Sequence, residues 1–195
     1  MVPLLRLVHD DIERILLDEQ EIRAGIERVA TEIATVYAHD EPTVIAVLKG
    51  SVIFVADLIR RLPIPMRLAF VWAESYRGGS SAGRLELGGR LPEEDVRGRS
   101  VLLVDDILDS GRTLAAIRAE LDARGAKDVR TCVFLDKPSR RAVPLEADHV
   151  CFEVEDLFVV GFGLDYKGRY RNLPYVAALK PHLCADEATI GEARK

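Results

Sequence analysis

Between Asp10 and Tyr37, apolar residues fall at Ile12, Ile15, Leu16, Ile22, Ile26, Val29, Ile33 and Val36. Their spacings of three, four and six or seven predict one amphipathic helix across residues 10–37. The pattern then changes to short unbroken apolar runs separated by polar turns. Val44–Leu48 reads as a first core strand, Ser51–Leu62 as a helix stopped before Pro63, and Met66–Ala73 as a second strand. Residues 74–99 hold Gly78, Gly79, Gly83, Gly88, Gly89 and Gly98 among Ser and Arg. That stretch predicts a mobile or hairpin-like segment, with a short strand at Arg84–Leu87. Val101–Val104 is a run suited to a strand buried on both faces, followed by a helix reaching about Arg124. Further strands are predicted at 129–135, 149–154 and 158–160. The residues beyond Leu183 read as a polar tail.

Strands alternating with helices indicate an α/β fold with a mostly parallel sheet and right-handed crossovers. A chain of 195 residues is long enough to bury a sizeable core without disulfides. We expect a single domain over 1–183 and a tail at 184–195. No apolar run reaches the roughly 18 residues of a membrane span. The acidic residues of MVPLLRLVHDDIERI do not suit a signal peptide. Cys132, Cys151 and Cys184 lack metal-binding spacing. The first two fall in predicted strands as small core residues, and a reducing cytoplasm suits the set. The net charge of −5, from 27 basic and 32 acidic residues, argues against a nucleic-acid surface.

The chemistry concentrates in VLLVDDILDSGRTL, residues 101–114. A buried strand delivers Asp105 and Asp106 at its carboxyl end, where ligands of open α/β sheets bind. Asp109-Ser110-Gly111-Arg112-Thr113 then opens a helix. Backbone N–H groups at such a start favour anions, although an Asp there also serves as a helix cap. Carboxylates beside a phosphate cradle call for a divalent cation or sugar hydroxyls. The segment therefore proposes a ligand with both a phosphate and a sugar.

This segment resembles the phosphoribosyl-diphosphate (PRPP) motif of type I phosphoribosyltransferases. VIAVLKGSVIFVADLIRRL at 44–62, VFLDKPSRR at 133–141 and FVVGFGLDYKGRYRNLPYV at 158–176 are similar to the hypoxanthine-guanine branch of that family. With the loop around Glu74-Ser75-Tyr76 they cover about 40–180. The resemblance implies the type I phosphoribosyltransferase fold: a central, mostly parallel sheet flanked by helices, with a small hood partly from about 155–183. It also implies a mobile lid over about 74–90, with Ser75 and Tyr76 at its tip, and a homodimer or homotetramer.

By the same resemblance, the activity is Mg²⁺-dependent transfer of the phosphoribosyl group from PRPP to a 6-oxopurine base in purine salvage. Asp105 and Asp106 hold the ribose hydroxyls and the Mg²⁺ shell. Ser110, Gly111, Arg112 and Thr113 cradle the 5′-phosphate, and Asp109 accepts a proton near N7 of the purine. Pyrophosphate is met by Lys49, Gly50 and Arg171, and the Lys49-Gly50 peptide can be cis in relatives. A lysine at the end of a core strand is costly to bury without an anion. Lys137 donates to the exocyclic O6, Phe158 stacks on the base, Val159 reads it through its backbone, and Asp165 binds Mg²⁺. Taken alone, Phe158 and Val159 read as core strand residues. Glu74 and Glu155-Asp156-Leu157 depart from the family pattern, at the lid and beside the base.

Two other readings compete. One is a regulator of the same fold that binds RNA and a uracil nucleotide, disfavoured by the net charge and by the purine-type Asp109. The other is an acidic-pair phosphatase or nucleotide hydrolase. No GK[ST] loop is present, which removes P-loop chemistry.

Overall fold

The apolar run before the acidic pair forms the middle of a sheet. The computed structural model describes residues 8–75, 85–89 and 91–183. They fall into two compact units, one of residues Arg23–Asp156 and one of the two chain ends, up to Ile22 and from Leu157 on.

The first unit is built on a six-stranded sheet. Its strands are β2 (Thr43–Leu48), β3 (Arg67–Ser75), β4 (Leu85–Gly88), β5 (Ser100–Leu108), β6 (Asp128–Asp136) and β7 (His149–Glu153). They lie in the order β4-β3-β2-β5-β6-β7, all neighbours parallel except the antiparallel β3–β4 pair. α2 (Val52–Ile59) follows β2 and α3 (Arg112–Ala123) follows β5. Val101, Leu102, Leu103 and Val104 are fully buried, as a strand covered on both faces requires. One core joins Leu103, Leu114, Ile117, Leu121, Val129 and Val133, so α3 is held on β5 and β6. Each such side chain stabilises by about 1.5–3 kcal/mol relative to exposure. Cys132 and Cys151 are buried free thiols, as expected from their strands. Burial pushes the Cys151 thiol up to about 12.

The edge strand β7 is covered by α1 (Glu19–Val36). Phe152 lies so close to Gly25 that any Cβ there would sit 2.2 Å from its ring. Arg28 donates to the carbonyls of Val150 (3.0 Å) and Cys151 (2.7 Å). These contacts occupy acceptors of an otherwise open sheet edge.

The smaller unit carries a three-stranded antiparallel sheet in the order β1-β9-β8, from β1 (Ile12–Leu17), β8 (Val159–Val160) and β9 (Val176–Leu179). This corrects the single helix expected over 10–37. Residues Ile12–Leu17 form a strand against β9, and the helix starts only at Glu19. The break is a capping box. Asp18 Oδ1 accepts from the amides of Gln20 (2.8 Å) and Glu21 (2.9 Å), while Glu21 Oε2 accepts from Asp18 N (2.8 Å). β9 was not expected from the sequence. The core here is Val160, Tyr166, Tyr170, Leu173, Tyr175, Ala177 and Leu179, with Tyr170 Oη donating to the buried Asp11 (2.7 Å).

Candidate active site

β5 carries the acidic pair past its apolar run. The strand continues to Leu108, so Asp105 and Asp106 lie within it rather than at its end. Asp105 is 8% exposed, and its Oδ1 accepts from the Asp106 amide at 2.9 Å. Asp106 Oδ1 accepts from Ile107 N at 3.0 Å. Burial, then the neighbouring Asp106 charge and side-chain hydrogen bond, push the Asp105 carboxyl well above its ordinary range. Two adjacent carboxylates with one buried are a charge arrangement that a divalent cation relieves. Among the described residues no three His, Cys, Asp or Glu side chains gather as a metal cage. The chemistry of two adjacent carboxylates fits Mg²⁺, which commonly takes one or two carboxylates and fills its shell with water and phosphate oxygens.

The turn after β2 abuts this pair. A Cβ on Gly50 would lie 1.6 Å from Asp106 Oδ2, so glycine lets the carboxylate rest against the turn. The peptide joining Leu48 to Lys49 is cis, one bond before the Lys49-Gly50 peptide that can be cis in relatives. Lys49 is exposed, which overturns the reasoning that it is costly to bury. The strand ends one residue before it, and its side chain leaves the core there.

The turn from Asp109 to Thr113 is held from one side. Gly111 has φ +78°, and a Cβ there would meet Val143 Cγ2 at 3.0 Å and Arg141 Cδ at 3.3 Å. Both the left-handed backbone and the close approach require glycine. The carbonyl of Leu108 accepts from Lys137 N (3.0 Å), and that of Ser110 accepts from Ala142 N (3.0 Å). Gly111 O accepts from Ala115 N (2.9 Å) inside α3. With its carbonyls tied back, the turn is left with its N–H groups to offer an anion.

Asp109 does not cap α3. The cap residue is Gly111, with no side-chain cap bond, and Asp109 Oδ1 is buried without a hydrogen-bond partner among the described residues. A carboxylate oxygen left this way is costly unless a ligand completes it. Lys137, at the end of β6, is buried at 6% exposure. Burial lowers its pKa, while the Asp109 charge acts in the opposite sense. Ser110 and Thr113 are half-buried, and Arg112 points to solvent.

Sequence reasoning missed Arg141. Its Nη1 donates to the carbonyls of Leu108 (3.0 Å) and Asp109 (2.5 Å), and Nη2 pairs with Asp136. Nothing in the KPSRR string distinguishes it from Arg140, whose partner is the exposed Asp156.

The remaining assigned residues belong to the smaller unit. Phe158 is half-buried and meets the Tyr166 ring edge-on at 5.1 Å, while Val159 is buried in β8 opposite Ala178. Asp165 and Arg171 pair with each other at 2.6 Å. The second Asp165 oxygen accepts from Gly168 N (2.7 Å), and Arg171 Nη1 donates to Gly163 O (2.6 Å). Ser75 ends β3, its backbone opposite Leu85. Tyr76 and the glycine-rich stretch expected as a lid lie outside the described residues over 76–84 and at 90, as does the tail from 184.

Residues 14–167 match the family model of the phosphoribosyl transferase domain. The bifunctional protein TilS/HprT of Listeria monocytogenes is 41% identical over 92% of this chain, which spans 28% of that protein's length. The hypoxanthine-guanine phosphoribosyltransferase of Bacillus subtilis is 40% identical over 90% of this chain and 97% of its own. Among solved structures, a mutant of Trypanosoma cruzi hypoxanthine phosphoribosyltransferase complexed with the product IMP superposes with a TM-score of 0.82. It is 36% identical, over 91% of this chain and 96% of that one.

Proposed function

The chain belongs to the hypoxanthine-guanine phosphoribosyltransferase family, and from that premise we propose that it joins hypoxanthine or guanine to PRPP in purine salvage. N9 of the base attacks C1′ of the ribose, the bond from C1′ to the pyrophosphate oxygen breaks, and IMP or GMP leaves with pyrophosphate. The observation that carries this reading is Asp109. Its buried Oδ1 is without a protein partner among the described residues, beside a turn whose carbonyls are held away.

The residues divide the work by their chemistry. Ser110, Gly111, Arg112 and Thr113 take the 5′-phosphate through their amides and the hydroxyls of Ser110 and Thr113. Asp105 and Asp106 hold the ribose hydroxyls and the Mg²⁺ shell, and Asp165 binds Mg²⁺ with its own carboxylate. When bound, Mg²⁺ neutralises the departing pyrophosphate. Lys49, Gly50 and Arg171 contact that leaving group. Asp109 takes the proton released from N7 and stabilises positive charge growing on the ribose. Lys137 donates to O6 of the base, a bond that an adenine amino group cannot accept. Phe158 stacks on the purine and Val159 reads it through its backbone. Ser75 and Tyr76 belong to the closing lid.

The buried free thiols Cys132 and Cys151 support a cytoplasmic location. No helix among the described residues is long and apolar enough to cross a membrane. The uncovered apolar side chains of β3, Leu68, Phe70 and Trp72, support a homodimer or homotetramer.

The test is nucleotide formation from PRPP and Mg²⁺ with hypoxanthine, guanine, xanthine and adenine in turn, for the wild type and Asp109→Asn. The 6-oxopurines are expected to react and adenine not. Asp109→Asn is expected to bind PRPP normally and to lose roughly 10²–10⁴-fold in kcat, the usual contribution of a positioned base. Preference for adenine, or no turnover with any base, overturns the function. Near-normal kcat in Asp109→Asn overturns its role as the base.

A further inference from the structure

We propose that Arg141 is a positioning residue for the Asp109–Gly111 turn, acting on its carbonyl groups. This rests on the phosphoribosyl-transfer reading of the same turn. The guanidinium has donors in a planar fork, and here the fork is spread across three acceptors. Nη1 bridges the carbonyls of Leu108 and Asp109, and Nη2 binds the Asp136 carboxylate at the end of β6. The side chains of Arg141 and Asp136 are each 16% exposed, so the pair is largely desolvated, unlike a surface ion pair.

Neighbouring contacts all act in the same direction. Lys137 N and Ala142 N hold the carbonyls of Leu108 and Ser110, and Val143 and Arg141 Cδ close over the α-carbon of Gly111. Backbone amides from the segment 137–142 take the first and third carbonyls. Of these contacts, only the Arg141 bond serves the carbonyl of Asp109, the residue whose side chain holds a buried oxygen in wait. Rotating the 109–110 peptide would exchange the directions of the Asp109 carbonyl and the Ser110 amide, putting an oxygen where the turn offers an N–H group to an anion. Arg141 opposes this rotation directly. Lysine cannot replace it, because one ammonium cannot span both carbonyls and Asp136 together.

Arg141 also borders an open cavity of about 660 Å³, shared with Asp136, Pro138, Pro144 and Leu145. A small guanidinium cation can therefore reach the place that a truncated side chain leaves.

The experiment compares the wild type with Arg141→Ala, Arg141→Lys and Asp136→Asn. It measures kcat and KM for PRPP, melting temperature, amide exchange across 108–114, and activity with added guanidinium chloride at low millimolar concentration. Both arginine variants are expected to raise KM for PRPP and lower kcat/KM by about 10- to 100-fold, the range for a site displaced by about 1 Å. Exchange should speed in 108–114 while the β2 and β6 strands keep wild-type protection. Guanidinium should restore Arg141→Ala and leave Arg141→Lys unchanged. Asp136→Asn should show the same pattern more weakly.

Wild-type kinetics and exchange in Arg141→Ala and Arg141→Lys overturn the proposal. So does exchange that rises equally over the whole sheet without rescue, which marks a merely structural arginine. If the wild type turns over no purine, the functional reading fails. The exchange of 108–114 and its response to guanidinium then still decide whether Arg141 holds the turn.

Discussion

Asp105 carries a cost that its neighbours in the sheet do not share. It is buried beside Asp106, and its carboxyl is pushed well above the ordinary range by that burial and then by the Asp106 charge. An acid whose pKa rises on folding favours the folded state below its unfolded pKa, about 3.9, and loses that contribution as pH climbs through the raised value. In metal-free protein, Asp105→Asn is therefore expected to melt above the wild type at pH 8. The gap should shrink as pH falls toward 4. Each kcal/mol recovered is worth about 2–4 °C in a chain of this size. Thermal unfolding over pH 4–8 in the presence of a chelator measures it. A variant melting at or below the wild type at pH 8 shows that the buried charge is already compensated. The same residue is assigned to the ribose and Mg²⁺, so stability would rise as activity falls. Asp105 was legible because two carboxylates follow an apolar run. Arg141 was not, because a side chain donating to backbone carbonyls leaves no mark in residue spacing. Lys49 was misjudged for a related reason: the apolar run predicts β2 and not the residue at which its side chains leave the core.

At the scale of elements, two glycines show how differently a turn and a core tolerate a methyl group. On Gly50 a Cβ would meet the Asp106 carboxylate, the movable end of a side chain, at 1.6 Å. On Gly161, at φ +97°, it would meet the backbone oxygen of Tyr175 at 2.0 Å. Gly50→Ala is therefore expected to fold, with a melting temperature within about 4 °C of the wild type. By displacing Asp106 it should lose at least about tenfold in kcat/KM for PRPP with Mg²⁺. Gly161→Ala should instead lose stability, adding left-handed strain of about 1–2 kcal/mol to the collision. Calorimetry beside the nucleotide assay separates the two, and a fully active Gly50→Ala would detach the Lys49–Gly50 turn from the acidic pair. The central elements were legible because each short apolar run lies between turn residues. β1 was not. Ile12, Ile15 and Leu16 continue the helical spacing of α1, and only the Asp18–Glu21 capping box marks the break.

At the scale of the molecule, the missed strands share one cause. β1 and β9 pair over more than 150 residues of sequence, Ile12 opposite Leu179 and Leu17 opposite Val176. Local periodicity carries no record of such a partner. The six-stranded sheet poses a different question, because β3 is finished on one face only. Ala69 and Val71 are buried at 7% and 2%, whereas Leu68, Phe70 and Trp72 are 41%, 39% and 41% exposed. Alternate residues of a strand point to opposite faces, so these three form one apolar stripe. Exposed stripes of this kind mark contact surfaces, and a second copy of the chain is the occupant proposed above. Sedimentation equilibrium should then give an integral multiple of the 21.7 kDa chain mass. Phe70→Asp should shift it toward the monomer, because a carboxylate buried in an apolar interface goes unpaired. The substitution sits on the face opposite Ala69 and Val71, so the monomer should keep its fold, as far-UV dichroism can check. A wild type that sediments as a monomer, or a Phe70→Asp variant of unchanged mass and normal fold, assigns the stripe to something other than self-association.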